Sequence, residues 1–568
     1  MRKFAMALLL LCLLLPLGAY AAGIEDLWVH CDLPVEDADA DPTRGDIHWW
    51  YSQKDKTYYI FLPSFSTPLR TALYYTGEGE VAIEGHAIPN GQHIMMEPGL
   101  KFTLTCGRKE YPIQVLQSAG VPAAFIRTAS GSVEDIHASK DNEETGDMIL
   151  INADGSIAYN GDLTQIKGRG NATFSYNKKP YQIKLAEKTD LYDMGKHKTW
   201  ILLANYHDNS LLRNTLTFDM ARQAGLQYTP QSTFCDVYIN NEYYGTYELC
   251  TKVQPDETRV DIPDLEDLTQ ELNEDKLDNY ERFGKVAPIK GKTKGRMIPN
   301  DPEDITGGYI LELEYAARYR QEASGYTTLK GQPIVVKYPE YASENQMAFI
   351  SSLLQSFENA IRAKDGIDPD TGKHYSDVMD MDSFVKKYLL EEIVRNYDGN
   401  NSSQFFYKPV DSVSEKLFAG PAWDYDSSYG NYEGANVKKI SGKGFAVCND
   451  YEQNYFFFPA AYRQEDFRRQ VQETYATVYL PILNTLLGQG EKLEHVQSID
   501  EYAARVEASA AMNFKRWPVF NIPARAVKTG SDYQENIDYI KNFLTTRMAF
   551  LEEEWLIPYQ NGEVCDKP

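Results

Sequence analysis

Histidine and cysteine are scarce in this chain, 9 and 7 respectively among 568 residues. That scarcity excludes a dense zinc array and a small disulfide-scaffold fold. Basic residues are also in deficit, 57 Lys and Arg against 82 Asp and Glu, for a net charge of −25. A surface this acidic repels nucleic acid and no basic tract compensates, so no nucleic-acid partner is expected. Beyond residue 21 no stretch approaches the ~20 consecutive apolar residues of a membrane helix. Internal repeats and low-complexity tracts are absent. What remains, 43% hydrophobic and 24% charged, is the composition of a packed globular protein.

The N-terminus predicts the compartment. Met1-Arg2-Lys3 precedes an apolar run from Phe4 to Leu17, and Ala19-Tyr20-Ala21 places small residues where a signal peptidase reads. The expectation is a signal peptide over residues 1–21 and a protein that is secreted, periplasmic or on the cell surface, with no membrane span after cleavage. Cys12 falls inside that signal and leaves six cysteines, which can pair in fifteen ways. Sequence position suggests Cys31–Cys106 and Cys235–Cys250; six reduced, partly buried thiols is the rival reading.

Residues 22–119 alternate apolar and polar positions in short runs, such as Tyr58-Tyr59-Ile60-Phe61-Leu62 and Phe102-Thr103-Leu104, between Gly, Pro and Asn. A small all-β, sandwich-like module follows from that texture. From residue 120 to about 560 strands mix with longer helical periods, giving an α+β class overall. A helix is predicted over 208–224, capped by Asp208 or Ser210 and ended by Gly225. Others are predicted over 344–363, 383–396, 464–487, 499–515 and 533–555. Asn240-Asn241 reads as a hairpin turn, and the charged stretch 254–302 as a loop-rich excursion.

Three constellations carry candidate chemistry. Lys167-Gly168-Arg169-Gly170-Asn171 lets backbone N–H groups approach a phosphate, with Lys184 on the following strand able to point inward as its counter-charge. A plain Gly-rich turn and a solvated strand lysine are the bland alternative. Asn396-Tyr397-Asp398-Gly399 follows a helix and presents a carboxylate that could accept a hydroxyl proton; an Asp-Gly turn is its alternative. Trp423-Asp424-Tyr425-Asp426 follows a strand and offers two carboxylates to a hard cation such as Mg2+, or simply caps the next segment. Their order is that of protein kinases, yet there is no His-Arg-Asp, no Asp-Phe-Gly and no GxGxxG. An ordinary protein kinase is excluded.

These residues resemble the spore-coat CotH kinase-like family over roughly residues 122–555. The resemblance rests on Lys167 to Asn171, Lys179-Pro180-Tyr181 through Leu185, Trp200 to Tyr206 and Leu212-Arg213-Asn214. It continues with Asp236 to Asn240, Tyr244 to Tyr247, Gly307 to Glu312, Asn396 to Gly399 and Gly420 to Asp426. It implies an atypical protein-kinase-like domain that uses ATP and a divalent metal, Mg2+ or Mn2+, to phosphorylate protein side chains. By position Asp398 is then the catalytic carboxylate, and Asp424 the metal ligand with Asp426 beside it. Gly168, Arg169, Gly170 and Lys184 form the nucleotide-phosphate site.

The chain also departs from the family. Thr251 stands where many relatives carry a glutamate, a position Lys252 or Glu248 would have to supply. Gln404 replaces an asparagine, which leaves Asn401 as the further metal ligand. Two functions are thus expected: an exported kinase acting on surface, matrix or coat proteins, or a non-catalytic kinase-like binding protein of the same compartment.

Overall fold

The computed structural model describes residues 23–34, 43–68, 71–397, 399, 402–431, 442–447, 457–521 and 530–565. The expected signal peptide, Asp398, Asn401 and Cys448 lie outside the described residues. The architecture is mixed α+β with an all-β N-terminal region, divided into two compact units.

The first unit comprises Met1–Ile166, Phe234–Tyr247 and Arg505–Pro518. Its N-terminal part has two sheets. In one, Gly23–Cys31 pairs antiparallel with Asp46–His48 and Thr71–Glu78. In the other, Lys109–Gln117 runs parallel to Thr57–Leu62 and antiparallel to Lys101–Cys106. Period-two alternation sends Leu27 and Val29 into the core, where they meet Ile60, Phe61, Leu73, Leu104 and Val115. Beyond these sheets, Ala123–Thr128 pairs with Glu143–Ile151 and runs parallel to Asp236–Ile239. Asn240 and Asn241 both hold positive φ, 49° and 70°, as the predicted tight hairpin turn requires.

The second unit comprises Lys167–Thr233, Glu248–Ala504 and Val519–Pro568. Tyr181–Asp190 pairs with Lys196–Leu203, whose end pairs in turn with residues 248–251. A second sheet sets Tyr309–Leu313 between Pro333–Tyr338 and Gln404–Lys408, with Phe418–Ala419 at its edge. Helices Glu344–Arg362 and Met381–Val394 carry buried apolar faces beside it. Ser343 caps the first through a complete capping box, and Asp380 caps the second.

Two expectations are corrected. The helix predicted from residue 208 begins at Arg213. Asp208 is occupied instead with Ser210 and the Arg213 main-chain N–H, and Leu211 adopts a left-handed φ of 62° that no helix tolerates. The suggested disulfides are likewise absent: Cys31, Cys106, Cys235, Cys250 and Cys565 are buried free thiols. The Cys31 thiol meets Ser66 Oγ at 3.6 Å, and Cys106 donates to the Glu78 carbonyl at 3.2 Å. Burial pushes Cys31 up to about 12 and raises Cys235 as well, so both stay protonated and unreactive. No described helix is long and apolar enough to cross a membrane.

Candidate active site

The strand Ile157–Gly168 ends where Arg169 turns its N–H onto the Pro180 carbonyl at 3.0 Å. Gly170 follows at φ +89°, and a Cβ there would lie 2.1 Å from Thr173 Oγ1, so both the turn and the close approach demand glycine. Arg169 then lies with its guanidinium carbon 5.3 Å from the Trp423 ring centre. Burial lowers its pKa, opposed by the charge of Asp424. The remaining lysines of this loop take other roles. Lys178 donates to the Ala204 carbonyl at 2.8 Å and Lys179 to the Phe174 carbonyl at 2.7 Å.

Lys184 is exposed, while Ile183 and Leu185 on either side are fully buried. Alternation along the strand therefore turns it away from the core instead of inward. The cation that accompanies Arg169 is Lys252. It lies 5.8 Å from the Tyr338 ring centre, and its pKa is lowered to about 8 by burial and by the like charges of Arg169 and Lys337. Beside it opens a cavity of about 370 Å³, lined by Tyr228, Gln231, Thr251, Lys252 and Arg259 among others. An apolar cluster of Val260, Ile262, Ile310, Phe405 and Tyr407 packs against Tyr338 and Trp423.

Asp424 is held on every side. It adopts a left-handed φ of 67°, a strained conformation for a residue other than glycine. The Asn396 amide donates to its carbonyl at 3.2 Å, and the next N–H, of Tyr425, donates to Asn214 Oδ1 at 2.7 Å. Asn214 in turn donates to Asn205 Oδ1, and Asn205 to Glu248 Oε2, at 3.2 and 3.1 Å. Ser403 Oγ donates to the Asp424 carboxylate at Oδ2, 3.1 Å away. Burial raises the Asp424 pKa, while the Ser403 bond and the Arg169 charge oppose the rise. Asp426 is half-exposed, its carboxylate accepting from Ser427 Oγ at 3.1 Å and its carbonyl from Asn431 at 2.7 Å.

Asp398 and Asn401 fall outside the described residues, but the segments flanking them converge on Asp424. Asn396 precedes them and Ser403 follows, and each donates to Asp424. Tyr397 N–H also donates to the Ser427 carbonyl at 3.1 Å. Beneath this loop Lys387, Glu391 and Tyr425 form a buried triad: Lys387 Nζ reaches Glu391 Oε1 at 2.6 Å and the Tyr425 hydroxyl at 2.8 Å.

The two departures from the family pattern can now be placed. Thr251 Oγ1 accepts the Gln231 N–H at 3.2 Å, and Glu248 is buried against Asn205. Gln404 is fully buried, and neither of its amide atoms has a hydrogen-bond partner among the described residues.

Sequence reasoning gave no role to Ser403, Glu312 or Lys337. Glu312 and Lys337 did leave a signal, each being a charge set in an apolar strand, Tyr309–Leu313 and Pro333–Tyr338.

No curated protein matches the chain. A family model described as CotH kinase protein matches residues 166–551, and this stretch holds the Gly168–Gly170 turn, Glu312, the Asp398 segment and Asp424. Matched over well more than half its length, the chain belongs to the CotH kinase protein family.

Proposed function

We propose that this chain is an exported atypical protein kinase with a protein-kinase-like fold, transferring the γ-phosphoryl group of ATP to hydroxyl side chains of secreted or surface proteins. The observation that carries the reading is the attachment of both flanks of the Asp398 loop to Asp424, through Asn396 and Ser403. Phosphoryl transfer pairs a base with a metal carboxylate, and the attachment of these two flanks supports reading Asp398 and Asp424 as that pair.

The residues present suit the groups this chemistry requires. Asp424 is a half-buried carboxylate with one oxygen hydrogen-bonded and no ion pair among the described residues, a donor for a hard cation. Among the described residues no group of three or more His, Cys, Asp or Glu is gathered to hold a metal. The reading therefore asks for Mg2+ or Mn2+ held by one or two carboxylates, its shell completed by phosphate oxygens and water. When bound, the nucleotide supplies the phosphoryl group and the divalent ion neutralises charge developing on it.

Arg169 and Lys252 are the cations placed to hold phosphate oxygens, and the Gly168–Gly170 turn brings backbone close to them. Asp424 is the metal carboxylate, with Asp426 and Asn401 as further ligands. Asp398 orients the acceptor hydroxyl and takes its proton. Lys184, exposed on its strand, contributes at most to the rim.

A second reading, a non-catalytic kinase-like surface or matrix binding protein, draws on Thr251 and Glu248. Both are engaged with partners other than a lysine, so neither supplies the Lys–Glu pair of an ordinary kinase.

The test is incubation of the mature protein with labelled ATP, Mg2+ or Mn2+ and a Ser-rich acceptor, beside Asp398→Ala and Asp424→Ala. The kinase reading expects labelling by the wild type alone. Equal labelling by all three would refute the assigned roles. No labelling together with no nucleotide-induced thermal shift would select the binding protein. Export is tested separately: N-terminal sequencing of protein recovered outside the cytoplasm should begin at Ala22.

A further inference from the structure

We propose that Ser403 and Glu312 are positioning residues that set the rotation of the Asp424 carboxylate for a divalent ion; the inference rests on the reading of Asp424 as a metal carboxylate. The main chain at Asp424 is already fixed by Asn396 and Asn214. Its side chain still has to be aimed. Among the described residues, the hydrogen bond that reaches the carboxylate comes from Ser403 Oγ, 3.1 Å from Oδ2. With Oδ2 accepting that bond, Oδ1 would be the oxygen left for a cation.

Ser403 can do this only because of its unusual backbone. Its φ of 61° lies in the left-handed region, which costs about 1 kcal/mol for a residue with a Cβ. The surroundings hold it there. Its N–H donates to Glu312 Oε1 at 3.0 Å, and Glu312 sits on Tyr309–Leu313 in fixed register opposite Phe405. Glu312 is itself a buried acid and needs a counter-charge. Lys337 Nζ supplies it, 3.8 Å from Glu312 Oε2 and 3.2 Å from Glu322 Oε2. The resulting chain runs from Lys337 through Glu312 and the Ser403 amide to the Ser403 hydroxyl and Asp424. A serine is needed at its end for the hydroxyl, although glycine would suit the backbone better.

That conflict makes the test sharp. Ser403→Gly keeps the N–H bonded to Glu312 and relieves the left-handed strain, while removing the hydroxyl. The full-length mature protein is titrated with Mn2+ in the presence of a non-hydrolysable ATP analogue. Bound ion is read by electron paramagnetic resonance and the fold by thermal melting. Ser403→Gly should melt at or above the wild-type temperature yet bind Mn2+ roughly ten- to a hundredfold more weakly, the worth of one hydrogen bond to a charged group. Glu312→Gln preserves an acceptor for the Ser403 N–H and should stay within about twofold of wild type. Glu312→Leu should weaken Mn2+ like the glycine variant.

Wild-type Mn2+ affinity in Ser403→Gly would overturn the proposal while leaving the role of Asp424 intact. Undiminished Mn2+ binding by Asp424→Asn, or none by the wild type, would instead overturn the underlying reading of Asp424.

Discussion

Lys252 offers a prediction that separates electrostatic cost from function. Its ammonium is partly buried and faces Arg169 and Lys337, and its pKa drops from 10.5 to about 8. For a lysine, a folded-state value below the unfolded one means that the charged form is disfavoured by folding. The penalty is fully present below pH 8, shrinks as the pH rises, and is gone above about 10.5. The shift corresponds to about 3 kcal/mol, which partial exposure and solvent screening reduce to roughly 1–2 kcal/mol.

Lys252→Met keeps the length of the side chain and removes the charge. The ligand-free variant should therefore be about 1–2 kcal/mol more stable than wild type at pH 7, with the gap closing as both are taken toward pH 10.5. Chemical denaturation across that range measures the gap directly. The same substitution should weaken nucleotide binding about tenfold, since a partly desolvated cation facing phosphate is lost. Nucleotide binding to the wild type near pH 8 should take up a fraction of a proton, seen as a buffer-dependent heat in calorimetry. A variant less stable than wild type at pH 7, or a gap that does not narrow with pH, would refute the reasoning.

Three further outcomes are expected. Gly170→Ala should lose about 1–2 kcal/mol in a thermal or denaturant melt, since φ is +89° and the new Cβ would press on Thr173; an unchanged melt would show that the turn relaxes freely. Reductant should leave the melting temperature unchanged, and the five described cysteines should react with a thiol reagent only on unfolding; a reductant-induced fall of several degrees would mean a disulfide contributes. Lys387→Met should cost about 3 kcal/mol by stranding the buried Glu391 carboxylate, and Lys387→Met with Glu391→Leu should regain much of that loss; equal losses in the single and double variants would show that packing, and not charge, dominates.

Much of the local structure was legible because it follows from short-range periodicity. The alternation of Leu27 and Val29 with Trp28 marks a half-buried strand, and Asn240-Asn241 marks a turn whose two positive φ values those residues accept. The same rule also carried the answer for Lys184. Being odd to Ile183 and Leu185, which are in the core, it had to point out, and the attraction of a lysine near a Gly-rich turn obscured that. The start of the helix at Arg213 was not legible. Asp208 and Ser210 have the chemistry of N-caps, and only the tertiary contacts of Arg213 and the left-handed Leu211 show that they close a turn instead. The paired cysteines failed for a related reason: proximity in a hairpin or module says nothing about whether two thiols point at each other.

The candidate site shows where reading along a chain stops and packing begins. Motif order singled out Arg169, Asp398 and Asp424, but it could not choose which cations lie near Asp424 or what aims its carboxylate. Those choices depend on side chains brought in from separate strands: Glu312 and Lys337, and Ser403 at the end of the Asp398 loop. None of the three looks chemical in isolation, since a serine in a loop and an acid or lysine in a strand are ordinary residues. What distinguishes them is expense. Two left-handed residues, Ser403 and Asp424, and a buried acid with its counter-ion have been placed within one hydrogen-bonded chain. Each is unfavourable alone by about 1 kcal/mol or more, and a stable fold had cheaper ways to fill the same space. Strain of this kind persists only where the surroundings over-determine a residue, which makes Asp424 the position at which the proposed reading is tested most directly.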